Sequence, residues 1–293
     1  MLFAPFALLP FYLSLAAFIL PSLVLFIRAS AKVEAAPSLL VTAPPVMLAI
    51  IVGQPTLLVA ALLFGALALL PDDENRAGAL IGICAVIKPP LLLLAPVALC
   101  AGGHWRAIRI AAVSAATLCA ASVLLFGLDP WWAWLAALPR FQALVAGFEP
   151  LARNAVTPYA TAARLGVSTT ATMAIAVPIA IAGTVFAFRR SRDLSVRLVA
   201  LVGGALLVSP YAMDYELAAF APVIASIRIR GFKDTVVPAV WAGSLFVNAS
   251  VVGLLAAYGW AAAKLIGEMR QSETMARCLS GSMLPPDRTA TVP

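Results

Sequence analysis

The stretch LIGICAVIKPPLLLLAPVAL, residues 80–99, is apolar except at one point, where Lys88 is followed by Pro89 and Pro90. An apolar helix needs about 20 residues to cross roughly 30 Å of hydrocarbon. A proline inside such a helix removes a hydrogen bond and clashes with the preceding turn. The stretch therefore reads as two half-length helices meeting at a polar tip. An ammonium at that tip is costly unless it is paired or reaches a polar site.

The surrounding chain fixes the class. Of 293 residues 63% are hydrophobic and 11% charged, far more apolar than a soluble domain, and candidate spans recur up to about Trp260. The expected fold is all-α, a polytopic transmembrane bundle with broken and half-length helices. Residues 1–263 form a single transmembrane domain, and residues 264–293 a polar tail expected to be disordered. Residues 6–27 lack a basic start, exceed the length of a signal-peptide core and stop at Arg28, so they read as a retained span.

The net charge is +7, but the arginines sit in short segments between apolar runs, as in cytoplasmic loops, which argues against nucleic acid as a partner. His104 is the sole histidine, leaving little material for a His-based metal site or a Ser-His-Asp triad. Cys84, Cys100, Cys119 and Cys278 show no C-x-x-C spacing, so neither disulfide nor metal is implied.

Three basic segments serve as landmarks: HWRAIR (104–109), RRSRDLSVR (189–197) and RIRGFK (228–233). All three are expected on the cytoplasmic side. Spans at about 110–126 and 170–188 then place residues 128–168 outside, including the tryptophan-rich DPWWAWLAALPRFQ, suited to a membrane interface. Residues 198–227 must fold back, with SPYAMDYE (209–216) at the turn; one long tilted helix would instead put Asp214 and Glu216 near the bilayer interior, at about 2.5 kcal/mol or more for an aspartate.

Residues 38–70 carry no charge and as one helix would be about 50 Å long, so a break is expected at Pro44 and Pro45 or at GQP (53–55). If both GQP and Lys88 are outer tips, PDDENR (71–76) lies inside. A competing topology crosses once through each stretch and puts PDDENR outside; parity alone permits both. A final span is expected at about 236–260.

On the first topology Gln54, Lys88, the 128–168 loop and Tyr211 to Glu216 meet one face. Irregular backbone at membrane depth survives only where protein buries it or a cavity receives it. Lys88 is suited to a phosphate as a point charge, or else snorkels at the end of a short helix. Asp214 and Glu216 are the candidate general bases, or else a solvated turn. Arg140, Arg153 and Arg164 depart from a strict positive-inside count, and bind an anionic headgroup or sugar phosphate unless the loop is long enough to ignore the rule. The acidic run Asp72, Asp73, Glu74 has no accompanying ligand or phosphate-binding loop and reads as a plain loop.

GQPTLLVAALLFGALALL (53–70), RAGALIGICAVIKPPLLLLAPVAL (76–99) and HWRAIR, followed by RNAVTPYATAARLGV (153–167) and SPYAMDYELAAFAPV (209–223), occur in an order and spacing that resembles glycosyltransferase family 87 over roughly residues 44–222. These are multispanning transferases dependent on polyprenyl-phosphate mannose. The resemblance implies a C-type membrane glycosyltransferase fold in a bacterial inner (plasma) membrane. The implied hexosyltransferase moves a hexose, mannose by resemblance, from a polyprenyl-phosphate donor to an acceptor glycan or glycolipid at the extracytoplasmic face. It implies membrane lipids as partners and neither cofactor nor metal. Within it, Lys88, Gln54, Arg140, Arg153, Asn154 and Tyr211 are the substrate-binding candidates, and Asp214 and Glu216 substitute bases.

The substitution is needed because that family's catalytic aspartate lies in the first extracytoplasmic loop, upstream of the matching region. Residues 1–39 contain only Glu34 as an acid, and no aspartate precedes Asp72. The chain reads as a member without its first spans, and such a form is expected to be inactive unless another acid serves. The alternatives are a transporter or lipid-binding membrane protein, since broken helices near the midplane also build transport sites, and a non-catalytic assembly partner.

Overall fold

A computed structural model describes residues 3–147, 153–247 and 249–281. Among them are fourteen α-helices and no β-strand. Four helical segments are long and apolar enough to cross a membrane: Phe11–Val33, Trp105–Phe126, Thr169–Arg190 and Ser250–Met275. The protein is an all-α polytopic membrane protein, as the composition requires.

Between the long helices lie the broken ones. Helix α1 (Phe11–Ser30) is followed by α2 (Pro37–Thr42) and α3 (Pro44–Ile51), then by α4 (Thr56–Leu69) and α5 (Glu74–Ile87). Both expected breaks in residues 38–70 are used: the chain leaves helix before Pro44 and again at Val52 to Pro55, where Gly53 takes φ +70°. At Lys88 the backbone is extended (φ −147°, ψ 73°), because the ring of Pro89 excludes the helical region for the residue before it. A 3₁₀ turn, Pro89–Leu92, and α6 (Ala95–Gly102) carry the chain back.

Helix α5 then lies along α7 (Trp105–Phe126) in parallel, Gly78 beside Ala107 and Gly82 beside Ala111. A Cβ at Gly78 would stand 2.5 Å from the Ala107 carbonyl oxygen, and one at Gly82 would collide with that of Ala111. Helices in lipid gain little from apolar burial against one another, so close backbone approach across a G-x-x-x-G face is what holds such a pair.

After α8 (Asp129–Gly147) and α9 (Pro158–Arg164), α10 (Thr169–Arg190) packs on α11 (Leu194–Val208). Every residue from Ser195 to Leu207 on α11 except Arg197 is buried, so this helix is the axis of the bundle. At 15 residues it is about 22 Å long, short of the hydrocarbon thickness, and α4 and α5 at 14 residues are similar. Their ends on one side therefore stop within the bundle. The chain turns there at Ser209 to Met213, returns through a 3₁₀ segment, Asp214–Phe220, and continues into α12 (Ala221–Ala225).

Two expectations for the carboxyl-terminal region are corrected. The single span at about 236–260 is a helical hairpin of α13 (Phe232–Gly243) and α14 (Ser250–Gly281). Gly243 and Ser244 end α13, and the Ala249 N–H donates back to the Ser244 carbonyl at 2.9 Å. The reversal lays Leu254, Ala257 and Ala261 of α14 into the core. Residues 264–281 of the expected disordered tail continue this helix, anchored by Lys264, whose Nζ lies 2.6 Å from Asp193 Oδ2. Residues 282–293 lie outside the described residues.

The basic segments gather at one end of the bundle. Arg228 pairs with Glu34 at 2.9 Å, Arg106 donates to Asn75 at 2.7 Å, and His104 Nδ1 lies 2.9 Å from Glu74 Oε1. PDDENR thus sits beside HWRAIR, at the opposite end from Lys88, as the topology with two tips requires. Asp73 caps α5 through the Asn75 and Arg76 amides.

The hydrogen bond from His104, with the Ala107 N–H adding a second donor, holds the Glu74 carboxyl below its ordinary value of 4.5. A carboxyl lowered on folding stabilises above its unfolded value, and that contribution is lost as pH falls through the folded one. Thermal melts in detergent are expected to show a stability decline below about pH 4.5 that is shallower in Glu74→Gln. Equal declines in both proteins would refute this coupling.

Candidate active site

At the other end, four interruptions of helix meet. The first is the start of α4: Thr56 follows the Gly53 to Pro55 turn, fully buried at its first helical position. The second is the end of α5 at Lys88. The third is the short segment after α8, where residues 154–156 pair with residues 212–214: the Val156 N–H donates to Ala212 O and the Asp214 N–H to Asn154 O, both at 2.9 Å. The fourth is the 3₁₀ segment Asp214–Phe220 itself.

The side chains close on Lys88. Its Nζ lies 2.6 Å from Glu216 Oε1 and donates to Thr56 Oγ1 at 2.7 Å, while the Thr56 hydroxyl donates to Glu216 Oε2 at 3.1 Å. The face of Tyr215 covers the ammonium, with Nζ 4.9 Å from the ring centroid. The two charged side chains are 14% and 6% exposed, which makes this a buried pair. An ammonium has three protons to place, and here a carboxylate, a hydroxyl and a π face take them. Removing two charges from water is repaid only when geometry is good and the remaining polar atoms are satisfied, and the Thr56 bridge supplies that condition.

Asp214 stands next to this cluster. It is 8% exposed, and its Oδ1 accepts from the Tyr215 N–H at 2.9 Å. No ion pair among the described residues engages it. Two acids of one turn are thus set apart: Glu216 is committed to Lys88, whereas Asp214 keeps most of its acceptor capacity. Tyr211 lies half-buried beside them, its carbonyl accepting from the Ser209 hydroxyl at 2.6 Å and its ring edge-on to Phe141 of α8 at 5.3 Å.

The structure brings together Lys88, Glu216, Asp214, Tyr211 and the backbone of Asn154. Gln54 sits two residues from Thr56 and is held through its own N–H to Ala49 O. Asn154 and Arg153 are exposed at the rim, and Arg140 is exposed on α8 with no ion pair to the cluster. Thr56 and Tyr215 were not anticipated. Thr56 had a signal, a hydroxyl directly after a helix break on the Lys88 side, and Tyr215 had its position between the two acids.

Short helices ending inside a bundle around a buried polar cluster define the class, a polytopic membrane protein with charged side chains held in its interior. The family model of glycosyltransferase family 87 matches residues 1–210. The chain belongs to glycosyltransferase family 87, and by that membership is a membrane glycosyltransferase acting between a sugar donor and an acceptor. No curated protein and no solved structure matches the chain.

Proposed function

We propose that the protein transfers a hexose, mannose in the first instance, from a polyprenyl-phosphate sugar to an acceptor hydroxyl at the end of the bundle opposite the three basic segments 104–109, 189–197 and 228–233, on the extracytoplasmic side of a bacterial plasma membrane. The observation that carries this reading is the Lys88, Thr56, Glu216 cluster with Asp214 beside it. It provides a cation for a lipid phosphate and, in Asp214, a carboxylate outside the ion pair for a hydroxyl proton, at a depth a lipid-borne donor reaches.

In the proposed step the acceptor oxygen forms a bond to the sugar C1 as the bond from C1 to the phosphate oxygen breaks. The acceptor proton passes to the Asp214 carboxylate as general base. The departing polyprenyl phosphate keeps the electron pair, and its growing charge is stabilised by Lys88. Lys88 starts paired with Glu216, so donor phosphate competes with that carboxylate for the ammonium. Thr56 remains a hydrogen-bond donor to Glu216 while the exchange takes place. Tyr211 and the rim residues Asn154, Arg153 and Gln54 flank the approach.

Reconstitution in liposomes with polyprenyl-phosphate mannose and a lipid-extract acceptor is expected to release polyprenyl phosphate and label a glycan or glycolipid. The same sugar on a nucleotide is expected to give no product. Turnover of the nucleotide sugar instead would sink the donor assignment.

A further inference from the structure

The arginine-rich end of the bundle holds a feature that the transfer reaction does not use. A cavity of about 750 Å³ opens between the ends of α4, α6, α10 and α11, within the size range of small-ligand sites. Arg189, Arg190, Arg192 and Arg197 line it together with His104, against a wall that includes Phe188 and Leu67.

The arginines converge there without carboxylate partners among the described residues. Asp193, the acid nearest in sequence, is engaged twice, by Lys264 Nζ at 2.6 Å and by the Val196 N–H at 2.9 Å. Glu74, the acid behind His104, is engaged by His104 and the Ala107 N–H. Arg197 is fixed as part of the wall: its Nε donates to Ser191 O at 2.8 Å and an Nη to Phe188 O at 3.3 Å, and its guanidinium lies over the Phe188 ring.

A positive-inside signal requires charge in a loop but no concavity. Arg106, Arg109, Arg228 and Arg230 provide such charge at the same end and lie outside the cavity lining, two of them already bonded to Asn75 and Glu34. The depth is informative as well. Trp105, 61% exposed at the start of α7, and Trp260, with Lys264 over its ring, mark this end as the level of a membrane interface. The guanidinium groups of Arg189, Arg190 and Arg192 around a partly apolar cavity at that level, with Arg197 fixed in its wall, match a phosphate beside an acyl or ring surface, because the planar fork pairs two phosphate oxygens at once.

We infer that this cavity is a second, regulatory or structural anion site that binds a phosphate group, presented either by an anionic phospholipid of the leaflet at that end or by a soluble phosphate compound. The inference is independent of the transfer reaction. It rests on the far end of the bundle and shares no residue with the Lys88 cluster.

The test uses the full chain in nanodiscs. In phosphatidylcholine discs doped with phosphatidylglycerol, native mass spectrometry of the released protein counts retained phosphatidylglycerol. In undoped discs, inorganic phosphate is titrated while the thermal midpoint is followed. Retention of phosphatidylglycerol identifies the lipid source, a midpoint rising with phosphate identifies the soluble one, and a response to neither overturns the site.

The doubly substituted Arg190→Lys/Arg192→Lys protein keeps its charge, and with it the topology signal, but loses two forks. It is expected to bind about tenfold more weakly. Undiminished binding overturns the inference, as does an equal loss in Arg109→Lys/Arg230→Lys, which would mean diffuse attraction to a basic surface.

Discussion

Replacing Lys88 with methionine is expected to destabilise the bundle by about 3–5 kcal/mol, the range found when one member of a buried ion pair is removed. The cost arises chiefly at Glu216, left 4% exposed with Thr56 as its one remaining side-chain partner. Methionine nearly matches the lysine stem in length, so the loss reports on charge rather than on a cavity. The second variant decides the matter. Lys88→Met combined with Glu216→Gln removes both charges, keeps a hydrogen-bonding group beside Thr56, and should recover most of the stability.

Two-variant cycles of this kind isolate the pair from its surroundings. Denaturation in mixed micelles, followed by near-ultraviolet circular dichroism, measures all three proteins. A double variant no more stable than Lys88→Met would show that the ammonium is held by Tyr215 and Thr56 rather than by Glu216. The exposed pair of Arg228 with Glu34, side chains 74% and 77% exposed, serves as the contrast, since its removal should change stability by less than about 1 kcal/mol.

Much of this architecture was legible because proline acts locally. Pro44, Pro55 and Pro89 each terminate helix through their own ring and missing N–H, so no distant contact is required to place the breaks. Charge was legible for a similar reason: arginine segments gather at one end whatever the packing. The meeting of the Lys88 tip with the turn after α11 also followed, since each break had to find protein cover at the same depth.

The identity of the partner did not follow. Both acids of the turn were candidates, and which one faces Lys88 depends on the rotation of the 3₁₀ segment Asp214–Phe220 where it packs on α3 and α4. The sequence asks only that Lys88 be paired or reach a polar site such as a phosphate; in the structure Glu216, Thr56 and the Tyr215 face already satisfy it. The α13 and α14 hairpin was hidden because a 12-residue helix followed by a long one has the same apolar composition as a single span; what separates them is the reversal after Gly243. The polar extension of α14 was hidden because residues 264–281 read as tail by polarity, although helix requires only suitable residues and an anchor such as Lys264.

The reading of the site also assigns the two acids different fates, and this can be separated by experiment. Asp214→Asn is expected to lower kcat for sugar transfer by about 10²–10⁴-fold, the usual contribution of a general base. Stability should be preserved, because the asparagine oxygen accepts the Tyr215 N–H as the carboxylate does and the Asn154 carbonyl still receives the N–H of residue 214. Glu216→Gln should do the reverse, leaving Lys88 buried with a neutral partner and lowering stability first. The KM for the polyprenyl-phosphate donor should stay near that of the parent in Asp214→Asn, since the phosphate is held at Lys88 and not at the base. Donor KM should shift in Glu216→Gln, because the carboxylate that competes with phosphate for the ammonium has gone. Wild-type kcat in the Asp214→Asn protein would remove Asp214 from the reaction, and a matched loss of kcat and stability in both variants would reduce the turn to a scaffold.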